Sequence, residues 1–304
     1  MHQVRVPATT ANLGPGFDAL GLALNLYNTV TVSPSHAFSL TVKGEGKEKL
    51  PQDESSLLIE AAQAVFEKAD YHPGALCWVQ ENFIPLQSGL GSSAATIVAG
   101  LKLANALLPA PLSTEEIHRL AVEIEKHPDN VTPAVFGGLT VSYHTEEGPC
   151  AVKAGIPPGL HLALAVPDFS LATVEARNAL PESVSREDAV FNLGRASLLV
   201  TSLMNGNGEL LRWACEDRLH QPYRARLIPG FQDVMEAALE AGAQGCALSG
   251  AGPTVAAFWI DKENHFAGIA SAMKDAFQNA GVSCRVFPAR PDGAGAVINH
   301  NCEL

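Results

Sequence analysis

Apolar residues alternate with polar ones in short runs near the start of the chain, then recur at helical spacing, and the change of period lays out the elements. Val4 to Val6, Leu22 to Val32 and Ala37 to Val42 read as strands, the first two flanking a loop rich in Asn, Gly and Pro. Ser55 to Ala69 has helical spacing, Ala75 to Gln80 reads as a strand, and Ser92 to Leu108 is a long apolar helix. Ser113 with Glu116 three residues on forms a capping box for a helix running to about Lys126, and Gly137 and Gly138 start a strand through Tyr143. The stretch from Lys153 to Gly159, with Pro157 and Pro158, interrupts both periods and is the best boundary. It divides the chain into 1–156 and 157–304. Beyond it come strand Leu160 to Val166, helices Thr173 to Leu180, Arg186 to Met204 and Phe231 to Ala241, strand Thr254 to Ile260, helix His265 to Ala280 and strand Ser283 to Phe287. Interleaved strands and helices predict an α+β second unit.

The most informative run is PLQSGLGSSAATIVAGLKLANALL, Pro85 to Leu108, where a glycine-rich loop breaks directly into the apolar helix. Gly89 and Gly91 let the backbone approach a ligand closely, and Ser92 or Ser93 can cap the helix. Free N–H groups and the positive end of the helix dipole then favour an anion there. A capped helix after a tight turn is the plainer reading, but the loop is longer and more patterned than a cap requires. It lacks the lysine of the P-loop pattern, and no strand followed by G-x-G-x-x-G points to a dinucleotide fold.

Composition narrows the classes. A chain of 304 residues with 47% hydrophobic and 17% charged residues has room for two domains with well-filled cores. A net charge of −12 with no basic run argues against nucleic acid or an anionic membrane surface as partner. An acidic chain that binds polyphosphate must supply compensation locally, from a metal ion, a helix N-terminus and a few placed arginines. Cys77, Cys150, Cys215, Cys246, Cys284 and Cys302 are scattered without a C-x-x-C pair, which excludes zinc-finger spacing and a disulfide framework. No signal-like or membrane-spanning run opens the chain, so the expectation is a cytoplasmic protein with reduced thiols.

The segment from Pro85 to Ala95 matches P-x-x-x-G-L-G-S-S-A-A, and on it the chain resembles the GHMP kinase superfamily. PATTANLGPGFDALGLAL (Pro7 to Leu24), HPDNVTPAVFGG (His127 to Gly138) and ALSGAGPTVAAF (Ala247 to Phe258) extend the resemblance along nearly the whole chain, toward its homoserine kinase branch. It implies an N-terminal domain like ribosomal protein S5 domain 2, a ferredoxin-like C-terminal domain and an active site between them. It implies ATP, Mg²⁺, L-homoserine as the small-molecule substrate, a role in threonine biosynthesis and a homodimer. The ATP site would comprise Pro85, Ser88, Gly89, Leu90, Gly91, Ser92, Ser93, Ala94 and Ala95, with Gly250 and Gly252 of the later glycine-rich loop closing over the phosphates.

Metal ligation falls to Ser93 and a glutamate on the helix before the substrate loop. The resemblance puts that glutamate a few residues before the loop, at Glu123, with Glu125 the alternative because the spacing between the motifs varies. The two lie two apart and so point in different directions around a helix. Asn12 and Asp18 read alone as a turn former and a helix cap. The resemblance makes them grip the amino alcohol, an acid suiting an ammonium and an amide a hydroxyl. Thr173 and Arg177 lie four apart on one helix face, and Arg224 sits in a loop before a helix. Through the resemblance the two arginines hold a carboxylate, which suits the guanidinium fork. A hydrolytic triad of Ser92, His127 and Asp129 is disfavoured, since no G-x-S-x-G elbow is present. Asn130 stands where several superfamily relatives carry a catalytic aspartate, and an amide cannot be a general base. The implied mechanism is direct in-line transfer, with Asn130 orienting the hydroxyl and His127 supporting the loop or touching substrate. Lys126 stands where many relatives carry glycine. Two other readings stay open: a relative acting on mevalonate, shikimate or a cytidyl erythritol, and a non-enzymatic nucleotide binder.

Overall fold

The computed structural model describes residues 1–261 and 265–300, so Cys302 lies outside the described residues. Strand β1 (His2–Ala11) pairs antiparallel with the long β2 (Leu20–Pro34), and the loop between them carries the first of the quoted motifs. Next come β3 (Ser39–Gly44), helix α1 (Leu57–Lys68), β4 (Leu76–Asn82), α2 (Ser92–Leu107), α3 (Thr114–Glu125) and α4 (Pro128–Phe136). Strands β5 (Leu139–Thr145) and β6 (Gly148–Ala154) form a hairpin that attaches to β2. The second unit runs through β7 (Leu160–Pro167), α5 (Thr173–Asn178), α6 (Arg186–Asn205), α7 (Leu211–Ala214), α8 (Gln221–Arg224), α9 (Phe231–Glu240), β8 (Gly245–Leu248), β9 (Val255–Ile260), α10 (Phe266–Asn279) and β10 (Cys284–Ala289). The last strand, β11 (Val297–His300), returns to pair with β1.

Among the described residues the strands form two sheets. One has seven strands along the path β11-β1-β2-β4-β3, with the β5–β6 hairpin branching from β2. The other is antiparallel in the order β10-β7-β9-β8, the split arrangement of a ferredoxin-like βαββαβ unit. The α+β class and the two-domain architecture expected from the sequence are therefore present. The cut at residue 156 needs one correction: residues 297–300 leave the second unit to complete the first sheet. The hydrophobic core also runs on from one unit to the other, taking in Leu162, Leu199 and Phe258 with Val4, Leu22 and Leu101.

Local chemistry explains most element ends. The Ser113 capping box starts α3 as its spacing predicts, with Glu116 N donating to the Ser113 hydroxyl and Glu116 reaching back to Ser113 N. Helix α2 starts differently. Neither serine caps it; Gly91 does, in the left-handed conformation at φ 69° and with no side-chain cap, so Ser92 and Ser93 lie inside the first turn. A Cβ at Gly91 would run into the Thr9 hydroxyl, so glycine is required there twice over. Residues 128–136, expected as a loop, are the helix α4, with Pro128 at its first turn, where proline's missing N–H costs nothing. Lys126 ends α3 at φ 73°, a left-handed position that suits glycine and explains the residue expected there.

Candidate active site

The loop from Pro85 to Gly91 is held from both sides. Thr9 N donates to Leu90 O at 3.1 Å from the first unit, while Thr254 N donates to Ser88 O at 3.1 Å and Ser249 Oγ to Gly89 O at 2.7 Å from the second. Gly89, at φ 81°, has no room for a Cβ against the Ser249 carbonyl. With Gly91 as an unadorned cap, the first N–H groups of α2 have no side-chain acceptor, which is the arrangement an anion completes.

Two cavities meet at this loop, sharing Gln87, Ser88, Ser92 and Ser93 as a common wall. The larger, about 790 Å³, is bordered by Pro85, Thr96, residues 44–51 and residues 166–170, and the Arg285–Glu45 ion pair joins its two sides at 2.9 Å. The smaller, about 150 Å³, lies between Asn12, Asp18, Glu125, His127, Asp129, Asn130, Thr173, Arg177 and Arg224, with Gly252 on its rim. Every residue expected to touch substrate therefore lines one polar cavity, although they come from β-loop, helix-end and second-unit segments far apart in the chain.

Their contacts are specific. Asn12 and Asp18 have positive φ, 67° and 56°, in a compact loop and not at a helix start, so Asp18 caps nothing. Asn12 accepts from Asp18 N at 2.9 Å and donates to Gly250 O at 3.0 Å, bridging the two units. Arg177 forks onto Asp18 with contacts of 2.7 and 3.2 Å. Arg224 belongs to the short helix α8 and not to a loop, and only 1% of it is exposed. Burial, with Arg177 next, pulls its pKa down to about 10. His127 Nδ1 lies 4.0 Å from Asp18 Oδ2, and burial and the nearby Arg177 keep its imidazole on the neutral side. Thr9 Oγ1 donates to Asn130 Oδ1 at 2.8 Å, fixing the amide with its NH₂ turned away.

Ser93 Oγ donates to Glu125 Oε2 at 2.9 Å, and burial raises the Glu125 carboxyl. A half-buried carboxylate beside a hydroxyl, facing the phosphate loop with no counter-charge paired to it among the described residues, is a donor set that suits a hard divalent cation. Glu123 is exposed and does not line the cavity, so the assignment moves to Glu125. Helical geometry is the reason: residues two apart lie on nearly opposite faces, and only Glu125 is on the face toward α2. Leu90, Ala94 and Ala95 are fully buried and shape the loop from behind, lining neither cavity. Gly250 offers its carbonyl to Asn12 and Arg224 in place of a phosphate contact.

The profile of the GHMP kinases N terminal domain matches residues 56–138, and that of the GHMP kinases C terminal matches residues 196–279. A homoserine kinase of Moorella thermoacetica is 43% identical over 298 residues, spanning 98% of this chain and 100% of that protein. One from Synechococcus sp. is 46% identical over 286 residues, 93% of each. The chain belongs to the homoserine kinase family. The crystal structure of homoserine kinase from Cytophaga hutchinsonii superposes with a TM-score of 0.88 at 32% identity, covering 98% of this chain and 96% of that one. Membership in a kinase family makes ATP a substrate, and the larger cavity has the volume for a nucleotide. Among the described residues no helix is long and apolar enough to cross a membrane.

One cavity residue was given no role by the sequence reading beyond a disfavoured triad. Asp129 is 4% exposed, lines the smaller cavity, and has its carboxyl pushed up to about 7 by burial and then by Asp18. Its position between His127 and Asn130 was the available signal, but the turn into α4 that aims it inward is not legible from a motif read as loop.

Proposed function

We propose that the protein transfers the γ-phosphoryl group of ATP to the side-chain hydroxyl of L-homoserine, giving O-phospho-L-homoserine and ADP in threonine biosynthesis. The observation that carries this reading is the Asp18–Arg177 pair beside Arg224 at the inner end of a cleft whose other wall is the phosphate loop. An acid flanked by two guanidiniums complements a zwitterion, with ammonium to Asp18 and carboxylate to the arginines. Mevalonate or shikimate brings a carboxylate but leaves Asp18 without an ammonium, which disfavours them.

The hydroxyl oxygen forms a bond to the γ-phosphorus as the bridging oxygen leaves with ADP. Asn130 orients the hydroxyl, and the N–H groups at the start of α2 and the loop backbone stabilise the transferring oxygens. Ser93 and Glu125 would hold a magnesium ion, which when bound neutralises phosphate charge. In-line transfer of this kind needs no base at residue 130. Asp129 supports a second reading of the proton's fate: a carboxyl titrating near 7 beside the orienting amide can take the hydroxyl proton. On that reading kcat/KM rises with pH through about 7 in the parent, and Asp129→Asn abolishes that acidic limb. A parent profile flat through this range returns the mechanism to transfer without a base.

The overall reading is tested by ADP release with MgATP against L-homoserine, L-serine, L-threonine, shikimate and mevalonate. Stimulation by L-homoserine alone is expected; stimulation by another alcohol, or by none, rejects it. We further place the enzyme in the cytoplasm as a homodimer, checked by light scattering of the purified protein.

A further inference from the structure

Two like-charged guanidiniums stand close together in the smaller cavity, and something must hold them there. Phe17, which follows the glycine turn of the first motif, is in reach of both: Arg177 Cζ lies 5.6 Å from its ring centroid and Arg224 Cζ 5.3 Å. The negative face of an aromatic ring attracts each cation and offsets part of their repulsion. His220, fully buried, stacks on the same ring at 5.3 Å and 25°.

His220 also grips Arg224 directly. Its Nε2 lies 2.7 Å from Gly14 O, which can only accept, so Nε2 carries the proton. Nδ1 is then an acceptor, and Arg224 Nη1 donates to it at 3.2 Å. The neutral state that this pattern demands agrees with the downward pull of burial on the imidazole, which outweighs Asp217 acting the other way. Asp217 is already satisfied by four donors, Asn192 Nδ2 and the N–H groups of Leu219, His220 and Gln221, and lies 3.6 Å from His220 Nε2. Arg224 Nη1 reaches Gly250 O as well, and Nε reaches Ala176 O, so the guanidinium is fixed on three sides. Two donors are left over: Arg224 Nη2 takes no part in these bonds, and Arg177 Nε is buried without a partner among the described residues.

We propose that Phe17 and His220 are positioning residues, a bracket that presents Arg177 and Arg224 together to a substrate carboxylate and so sets the preference for an amino acid over the corresponding amino alcohol. The proposal rests on the homoserine reading of the site, and neither residue touches the reacting atoms. The imidazole does what lysine or a protonated histidine could not: it accepts from the arginine without adding charge to an already cationic corner.

The test compares L-homoserine with L-homoserinol, which keeps the amine and the γ-hydroxyl but has CH₂OH in place of the carboxylate. Homoserinol is measured as a competitor of homoserine, so slow turnover does not obscure its affinity. In the parent, homoserine is favoured by roughly 100-fold or more, since a site built for an anion is left with unpaired donors by the alcohol. His220→Phe keeps the stacking and loses both hydrogen bonds, and should cut that preference about ten-fold through homoserine alone, with homoserinol affinity and KM for ATP within about threefold of the parent. Phe17→Leu should act in the same sense by about fivefold, and His220→Asn, whose Oδ1 can stand in for Nδ1, should recover part of the preference. Parallel loss for both compounds, or an unchanged ratio in both His220→Phe and Phe17→Leu, overturns the bracket. A parent that phosphorylates neither compound rejects the homoserine reading instead, and the binding ratio of the two still reports on the bracket. Independently, nitrogen-15 spectra near pH 7 should show His220 as the neutral Nε2–H tautomer; an imidazolium or Nδ1–H signal contradicts it.

Discussion

The two ends of the cleft are made from different materials. The phosphate-loop wall of the nucleotide end is one continuous stretch, Pro85 to Thr96, and offers backbone: a glycine cap, free N–H groups and a helix axis, with the charged residues 45, 47–49, Asp168 and Arg285 on the facing walls. The amino-acid end is assembled from charged side chains on the β1–β2 loop, the α3–α4 junction, α5 and α8, several of them buried and already bonded to one another. Backbone recognition tolerates any nucleoside attached to a phosphate chain, whereas a pre-paired set of opposite charges fits only a ligand of matching charge order. Specificity for the acceptor should therefore reside almost wholly at the second end, and damage to the two ends should be separable.

The sharpest separation is expected from Arg224→Ala. Removing a buried guanidinium that three acceptors hold should lower kcat/KM for homoserine about 1000-fold, equivalent to about 4 kcal/mol, while KM for ATP stays nearly constant. A matching rise in the KM for ATP would merge the two ends into one unit. Gly91→Ala attacks the other end. A Cβ there meets Thr9 and Asn130 in a backbone conformation that alanine resists, so kcat/KM for ATP should fall about 100-fold with homoserine binding little altered in calorimetry. Because the Thr9 hydroxyl also holds Asn130, a fall in kcat beyond the ATP effect would show how far the disturbance travels.

Glu125→Gln and Glu123→Gln form a matched pair. The first should reduce kcat about 100-fold and raise the magnesium concentration needed for half-maximal rate, and the second should change either by less than about twofold. Equal effects would remove the metal assignment from both. The smallest effect concerns the helix end between the two regions. Lys126→Gly relieves a left-handed residue and should raise stability by about 1 kcal/mol in urea unfolding, with activity unchanged.

Asp129 adds a stability counterpart to its kinetic test. Its folded pKa, about 7, lies above the ordinary carboxylate value of 3.8, so the folded state loses relative stability as pH rises between the two. Asp129→Asn should accordingly raise Tm at pH 8, and it should lower activity only if Asp129 takes the hydroxyl proton. His118 works in the opposite sense. Held neutral by burial with its pKa down near 4, and hydrogen-bonded to Thr132 at 2.8 Å, it adds to acid destabilisation as pH falls from about 6.5 toward 4.

The difference between the two ends also decided what the sequence could reveal. The phosphate loop is local, so its glycines, its helix and the Ser113 capping box could be read directly from spacing. Periodicity recovered most strands and helices of both units, but α4 was hidden because Pro128, Asp129 and Asn130 resemble a loop until the helix they start is packed. β11 was invisible for another reason: its pairing with β1 is set by tertiary contact across nearly the entire chain. The acceptor pocket depended on resemblance to bring Asn12, Asp18, Arg177 and Arg224 together, and geometry then separated Glu125 from Glu123. Nothing in the spacing announced Phe17 and His220, because an aromatic ring behind two arginines is defined only in space.

The most direct test of the account is a competition in a single tube: the purified protein with MgATP and equal amounts of L-homoserine, L-serine, L-threonine, shikimate and mevalonate, with the phosphorylated products resolved by mass spectrometry. The paired charges of Asp18, Arg177 and Arg224 predict O-phosphohomoserine as the dominant product, with serine and threonine, whose hydroxyl is on the β-carbon, and the amine-free shikimate and mevalonate left unmodified. A different phosphate ester in the majority, or ATP consumed without any ester formed, would contradict the assignment of that end of the cleft.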